Sequence, residues 1–509
     1  MTNHLAQALR LMRADRGDAL FAELPDGRHV SFGDVDALSN RFAAALVGMG
    51  VKPGDRVAVQ VDKSIEALML YLGAIRAGAV FLPLNTAYTP NEVAFFVGDA
   101  EPALLVCRPA SAEALAPVAA ETGARLETMG VRAADSHDHG SIFEHLPDEA
   151  SPVMVPRGPE DLAAILYTSG TTGRSKGAML SHDNLASNAL TLVDTWRFTA
   201  EDRLIHALPI YHTHGLFVAS NVTLVAGGSL IWMPKFDADA VIEALPRASA
   251  MMGVPTFYTR LLGDDRLTPD LCRAMRLFVA GSAPLLAETH RQWQAATGHA
   301  ILERYGMTEA SMITSNPYDG ERRAGTVGLP LPGVALRVRN PETGDLLGAG
   351  EIGMIEIRGP NVFQGYWKLP EKTAEELSAD GWFVTGDLGT IGHDGYVQIV
   401  GRGKDLIISG GFNVYPKEVE GEIDRLDGVI ESAVIGVPHP DFVEGVVAVV
   451  VPQHGATREE DEIKGALADR IAKFKQPKRV IFVDALPRNT MGKVQKKALR
   501  EAHAGLFGT

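Results

Sequence analysis

Several features that define whole classes of protein are missing from this chain. Cysteine is scarce: Cys107 and Cys272 are the only two in 509 residues. That excludes a disulfide framework or a thiolate metal site and fits buried thiols in a reducing compartment. No apolar run approaches the length of a membrane span. The N-terminal stretch has arginines but no continuous apolar segment, and Asp15 and Asp18 interrupt any transit-peptide pattern. Leu5, Leu9 and Met12 instead mark the docking face of an amphipathic helix. A basic excess is also lacking, since the formal net charge is −15, which argues against a binder of phosphate backbones. There is no internal repeat and no low-complexity tract. Neither nucleic acid nor membrane is an expected partner, and the expected location is the cytoplasm.

Apolar residues at 46% and charged residues at 22% describe a globular chain, and the length suggests about three domains or subdomains. Strand-like runs (Arg56–Val61, Ala103–Val106) alternate with helical stretches (Val35–Met49, Ile65–Arg76), the pattern of α/β layers with parallel strands. Beyond Lys404 the pattern changes to a small α+β domain, with strands at Ile430–Gly436 and Val446–Val451 and a charged helix across Glu459–Ala472. The expected fold is a large N-terminal domain of layered α/β subdomains, residues 1–403, and a small mobile C-terminal α+β domain, residues 404–509.

The most informative stretch runs from Leu166 to Ala178. A short apolar strand from Leu162 to Leu166 leads into Thr168, Ser169, Gly170, Thr171, Thr172 and Gly173, followed by Lys176 and Gly177. Glycines let backbone N–H groups converge on an anion, hydroxyls add donors, and the lysine neutralises charge. This is the chemistry of a polyphosphate cradle, although Gly, Ser and Thr also cluster in ordinary surface loops. It is not a Walker A loop: Ser175 stands where that motif needs Gly, and Gly177 where it needs Ser or Thr.

TSGTTGRSKG (Thr168–Gly177) resembles the phosphate signature of the adenylate-forming superfamily, which unites acyl-CoA synthetases, luciferases and the adenylation domains of peptide synthetases. Other stretches extend the resemblance along most of the chain. In LFVAGSAPL, Gly281, Ser282 and Ala283 follow an apolar strand, where open α/β sheets bind ligands; the resemblance places adenine there. In ERYGMTE, Glu303, Arg304, Tyr305, Gly306, Met307, Thr308 and Glu309 join the nucleotide site. Tyr305 offers a stacking face, and Thr308 and Glu309 supply hard oxygens suited to Mg²⁺. The resemblance makes Thr168 and Glu309 the metal ligands, and Asp387, assisted by Arg402, the holder of the ribose hydroxyls. It also implies a hinge at Lys404, a CoA path at Ser409, Gly410 and Gly411, and Lys493 as the adenylation lysine. ATP, Mg²⁺ and coenzyme A are the implied small molecules. The setting PRNTMGK resembles that in which bacterial members are acetylated, which implies a lysine acetyltransferase and deacetylase acting on Lys493.

In LPIYHTHGL, His212 and His214 lack a third ligand at zinc spacing, and the resemblance gives His212 a place where carboxylate, phosphate and thiol meet. Arg260 alone reads as a snorkelling surface arginine. Together with Arg304, however, it sets two guanidinium forks around one spot. Two buried arginines persist only with an anion between them. With Thr213 and Met312 as walls, the combination resembles the malonyl-CoA synthetase branch of the superfamily. The implied activity is ATP-dependent formation of an acyl-adenylate and then of its CoA thioester, on malonate and also methylmalonate. The competing readings are a ligase for another short acid, with both arginines in ordinary ion pairs, a free-standing carrier-loading enzyme, and a nucleotide-binding regulator without chemistry.

Overall fold

The computed structural model describes residues 2–11, 16–131, 139–168, 175–409, 412–453, 459–468, 470–489 and 492–508. Packing divides the chain into two units, Met1–Ala335 with Arg358–Trp382, and Leu336–Ile357 with Phe383–Thr509. Asp387 and Arg402 therefore belong to the same unit as Lys404 and Lys493.

The first unit is built on two sheets. A six-stranded sheet runs in the order Arg125–Thr128, Leu104–Cys107, Arg56–Gln60, Val80–Pro83, Leu162–Thr168, Lys176–Ser181. All its pairings are parallel except the last. Val80–Pro83 and Leu104–Cys107 are buried at every residue, which is why they read as unbroken apolar runs rather than as alternation. The helix Ile65–Ala77 is buried throughout, and a helix hydrophobic on all sides belongs inside. Ser64 caps its start and Gly78, at φ +72°, ends it.

The nine-stranded sheet positions the site. Its central strands lie in the order Leu302–Met307, Leu277–Ala280, Ala250–Gly253, Arg203–His206, Ser229–Trp232 and Leu20–Glu23, all parallel. Antiparallel strands close both edges. Parallel strands deliver their C-terminal ends to one rim, where open sheets bind ligands. Each of four neighbouring strands there leads into a segment carrying chemistry: 207–214, 254–261, 281–285 and 307–309.

The second unit holds a four-stranded sheet, Ala335–Arg339, Gly353–Arg358, Phe383–Ile391 and Val397–Arg402. A five-stranded sheet centres on the long antiparallel pair Val429–His439 and Val443–Pro452. The helix expected over Glu459–Ala472 covers Glu460–Leu467. The N-terminal helix is one short segment, His4–Ala8, with Leu5 and Leu9 buried as expected, whereas Met12 lies outside the described residues. Both cysteines are buried.

Gly73 sets how closely the helices Phe32–Gly48 and Ile65–Ala77 approach. A Cβ there would stand 2.6 Å from Phe42 Cβ and 3.1 Å from Ala43 N and Ser39 O. Gly73→Ala gains about 1 kcal/mol of helix propensity but forces backbone-anchored atoms apart, at about 1–3 kcal/mol. We expect net destabilisation of up to about 2 kcal/mol, read as a lower urea midpoint at unchanged m-value.

Candidate active site

The phosphate stretch is a hairpin. Thr168 ends one strand and pairs across it with Lys176, which begins the antiparallel return; Ser169, Gly170, Thr171, Thr172 and Gly173 lie outside the described residues. Lys176 Nζ sits 3.9 Å from the centre of the Tyr366 ring and 3.2 Å from Glu376 Oε1. The Tyr366 hydroxyl lies 2.6 Å from Glu376 Oε2 and 3.1 Å from Glu309 Oε1. Glu309 is buried in the turn after Leu302–Met307, beside Thr308. The cradle lysine and the expected metal carboxylate are thus joined through one tyrosine. Burial tends to raise the Glu376 pKa, but Tyr366, Lys372 and Lys176 outweigh it and hold the carboxyl below its ordinary value. Sequence reading missed Tyr366 and Glu376, since neither stands in a glycine-rich or charged motif and only the fold brings them to Lys176.

A second cluster forms where Arg203–His206, Leu277–Ala280 and Leu302–Met307 end. The Arg304 guanidinium lies against the backbone of Gly281, where a Cβ would meet Arg304 Cζ at 2.5 Å. Only glycine leaves that room. Ser282, with φ +72°, accepts this strained backbone, and its Oγ is 3.1 Å from His214 Nδ1. Gly306 pairs with Met312, and a Cβ on Gly306 would be 2.5 Å from Met312 Cε. Among the described residues, Arg304 Nε and Nη2, Thr213 Oγ1 and His214 Nε2 are buried side-chain atoms without a hydrogen-bond partner. Burial pushes the Arg304 pKa down to about 9, with Tyr258 opposing. Burial likewise pushes His212 down to about 4 and His214 well below its ordinary value. Both imidazoles are neutral at pH 7.

Arg260 departs from expectation. It ends the helix Pro255–Leu261 and is exposed, with its guanidinium 6.0 Å from the centre of the Phe236 ring. Position 260 falls in the last turn of a helix that buries Tyr258 and Leu261 instead. Of the two, only Arg304 is buried, at 3% exposure. Neither arginine has an ion-pair partner that would make it an ordinary surface bridge, as far as the described residues go. His212 and His214 gather no metal set: among the described residues no three His, Cys, Asp or Glu side chains group as ligands.

In the second unit, Asp387 is buried and accepts from Arg402 Nε at 2.8 Å, across the pairing of Phe383–Ile391 with Val397–Arg402. Ser409 is buried; Gly410 and Gly411 lie outside the described residues. Lys493 stands on a tight hairpin in which its own N–H donates to Asn489 Oδ1 at 2.9 Å and Asn489 N–H donates to its carbonyl at 3.0 Å. Arg488 fastens the hairpin through Glu431 and the Gly492 carbonyl. The residue is exposed overall, though neighbouring groups crowd its ammonium. Burial first, and then Arg402 and Lys404, lower its pKa against the pull of Asp387 and Asp405.

The tail's other lysines are not alike. Lys497 is a solvated charge, 3.8 Å from Glu501. Lys496, by contrast, is partly buried and 2.5 Å from Glu420 Oε1. Glu420 is itself buried and accepts from Val434 N at 2.8 Å. The reason is its place at the start of the helix Lys496–Ala502, which packs on Val429–His439.

The chain belongs to the AMP-binding enzyme family: residues 12–367 match the AMP-binding enzyme and residues 418–493 the AMP-binding enzyme C-terminal domain. It is an AMP-forming acid–thiol ligase of mixed α/β fold. Among solved structures, ATP-bound MatB from Rhodopseudomonas palustris is 58% identical, covers 100% of each chain and superposes with a TM-score of 0.96. A malonate–CoA ligase from Arabidopsis thaliana is 33% identical over 94% of this chain and 85% of its own length. A feruloyl-CoA synthase from Amycolatopsis sp is 36% identical over 93% and 94%. The relatives' names differ in the acid, so membership alone does not choose it.

Removing Lys496 leaves the buried Glu420 carboxylate short of its cation, at about 1–3 kcal/mol. In Lys496→Ala we expect amides of Pro416–Ile423 and Val429–His439 to exchange with deuterium faster than in the parent. Lys497→Ala should leave them unchanged.

Proposed function

We propose that this enzyme ligates malonate, and also methylmalonate, to coenzyme A through an acyl-adenylate, releasing pyrophosphate and then AMP. The observation that carries the choice of acid is the buried guanidinium of Arg304, with two of its nitrogens unpartnered. Such a charge costs several kcal/mol unless an anion meets it. One carboxylate of malonate reacts; the other suits the planar fork of Arg304 bidentately. Thr213 supplies a hydroxyl at the same pocket and Met312 an apolar wall. The similarity to the malonate–CoA ligase of Arabidopsis thaliana supports the same acid.

In this reading the chain positions reactants and stabilises charge rather than forming covalent bonds to them. Thr168, Lys176 and the loop between them hold the phosphates that leave as pyrophosphate. Mg²⁺ fits a single buried carboxylate, Glu309, completed by Thr168 and phosphate oxygens, because this ion keeps few protein ligands; bound there, it neutralises phosphate charge. Gly281, Ser282, Ala283 and Tyr305 take adenine, and Asp387 with Arg402 the ribose. Neutral His212 is assigned to the meeting point of acid and thiol, where an imidazolium would compete with Arg304 for the anion. Lys493 offsets charge on the carboxylate and α-phosphate during adenylation, Lys404 is the hinge, and residues 409–411 border the CoA path. The domain boundary is placed at residue 404. The exposed hairpin of Lys493 is a surface a lysine acetyltransferase and deacetylase can reach, and the cytoplasm is the compartment that suits two buried free thiols.

Acid-dependent ATP–pyrophosphate exchange across acetate, propionate, butyrate, malonate, methylmalonate and succinate tests the acid. Malonate should exceed butyrate by roughly a thousandfold in kcat/KM, the cost of leaving the guanidinium unmatched. Arg304→Leu should abolish that preference, and Arg260→Ala should cost far less. A preference for malonate that survives Arg304→Leu refutes the assignment.

Lys493→Ala should abolish pyrophosphate exchange while leaving transfer from supplied malonyl-adenylate to CoA largely intact. Acetylation of Lys493 should do the same, since acetyl-lysine keeps the stem and loses the cation. Equal loss of both half-reactions would count against this role.

A further inference from the structure

A lysine remote in sequence reaches the strand end from which the acid pocket's loop departs. Lys63 lies between the strand Arg56–Gln60 and the helix Ile65–Ala77. Its Nζ is 2.7 Å from the carbonyl oxygen of His206, 2.6 Å from that of Met233 and 2.9 Å from His206 Nδ1. The Trp232 ring centre is 4.4 Å away. The two carbonyls stand at the ends of adjacent parallel strands, whose register sets Trp232 beside His206. Burial lowers the Lys63 pKa, and no charged group among the described residues offsets it.

The partners fix where the protons are. Carbonyl oxygens only accept, so two Lys63 N–H bonds go to His206 and Met233. On the far side of the imidazole, Nε2 is 3.0 Å from the Gly215 carbonyl oxygen, another pure acceptor, so the ring proton sits on Nε2. Nδ1 is then a lone pair, and the third Lys63 N–H fills it. Three acceptors call for the ammonium form. Burial, and then the Lys63 charge, keep His206 neutral by pushing its pKa well below the ordinary value.

This tautomer closes a loop. His206 and Gly215 are 9 residues apart, and the segment between them carries His212 and Thr213. Gly215 permits the closure, since a Cβ there would lie 2.0 Å from the Pro209 carbonyl oxygen. Ser220 Oγ donates to the same Gly215 carbonyl at 2.9 Å, from the far end of the π-helical segment His214–Ser220, a geometry frequent at functional sites.

We propose that Lys63 is a positioning residue for acid activation: through the fixed tautomer of His206 it holds the 207–213 loop closed on Gly215, so that His212 and Thr213 stand at the acid pocket. It does not itself touch substrate. The inference rests on the reading of His212, Thr213 and Arg304 as the acid site.

Lys63→Met keeps the apolar stem and removes every N–H. His206→Leu removes the relay, whereas His206→Gln keeps one acceptor and one donor. Each full-length variant is assayed by pyrophosphate exchange with whichever acid of the panel the parent uses best, so a wrong choice of malonate fails on the panel and leaves this test intact. Lys63→Met and His206→Leu should each lower kcat/KM for the acid by about tenfold or more with the KM for ATP within about twofold, and the double variant should be no worse than the poorer single one, the mark of residues acting as one unit. His206→Gln should stay within about threefold of the parent. An unchanged kcat/KM in Lys63→Met, effects that multiply in the double variant, or a parallel rise in the KM for ATP overturns the proposal. Should Lys63→Met fail to fold, the His206 pair decides: Gln and Leu variants of equal activity overturn it.

Discussion

A guanidinium withdrawn from water without a carboxylate beside it sets the terms for the first unit's rim. Arg304 is 3% exposed, and two of its nitrogens have no partner among the described residues. Some buried polar groups of the same unit are paired. Asp202 takes Arg276 Nε at 2.6 Å, and Asn188 and Asn361 both donate to the Met312 carbonyl. The unsatisfied atoms of Thr213, His214 and Arg304 belong to the strand Leu302–Met307 and to the segment after Arg203–His206, on the rim where a parallel sheet presents its loops. Unpartnered buried atoms also occur elsewhere in the unit, at His290 and Trp293 among others; what sets this group apart is a buried guanidinium with no ion pair among the described residues, a charge that an anion would satisfy.

The surrounding residues keep that pocket positive without adding competing charge. His212 and His214 are neutral because burial depresses their pKa values, so Arg304 is the cation there. A second arrangement has the opposite logic: Lys176 is matched by Glu376 and the aromatic face of Tyr366. In the first set the cation is left without a counter-charge among the described residues; in the second the lysine is held by local counter-charge.

Much of this was legible in the amino-acid order because backbone demands leave marks. The strand read at Leu162–Leu166, which extends to Thr168, and the parallel order followed from apolar runs. Gly281 and Gly306 were legible as residues of the nucleotide site, and the structure adds that each has a neighbour within 2.5 Å of a would-be Cβ. Side-chain direction was less visible. Arg260 and Arg304 look equivalent as letters, yet the helix phase of position 260 turns it outward while a strand pleat turns Arg304 in. Lys496 and Lys497 are neighbours, yet only the first meets a buried carboxylate. Lys63, Tyr366 and Glu376 act across 143 to 200 residues of chain, a separation over which local pattern carries no information.

The contact between Gly281 and Arg304 has a consequence for how such an enzyme changes diet. The guanidinium that would read the acid leans on the strand end assigned to adenine, with no side chain between them. Shortening Arg304 to admit an apolar acid therefore opens a void beside the nucleotide, and enlarging residue 281 to fill it excludes arginine from then on. The two positions form a ratchet: a change at Arg304 alone can discard a preference, but whichever changes first decides what the other is free to become, so a new preference settles in the pair.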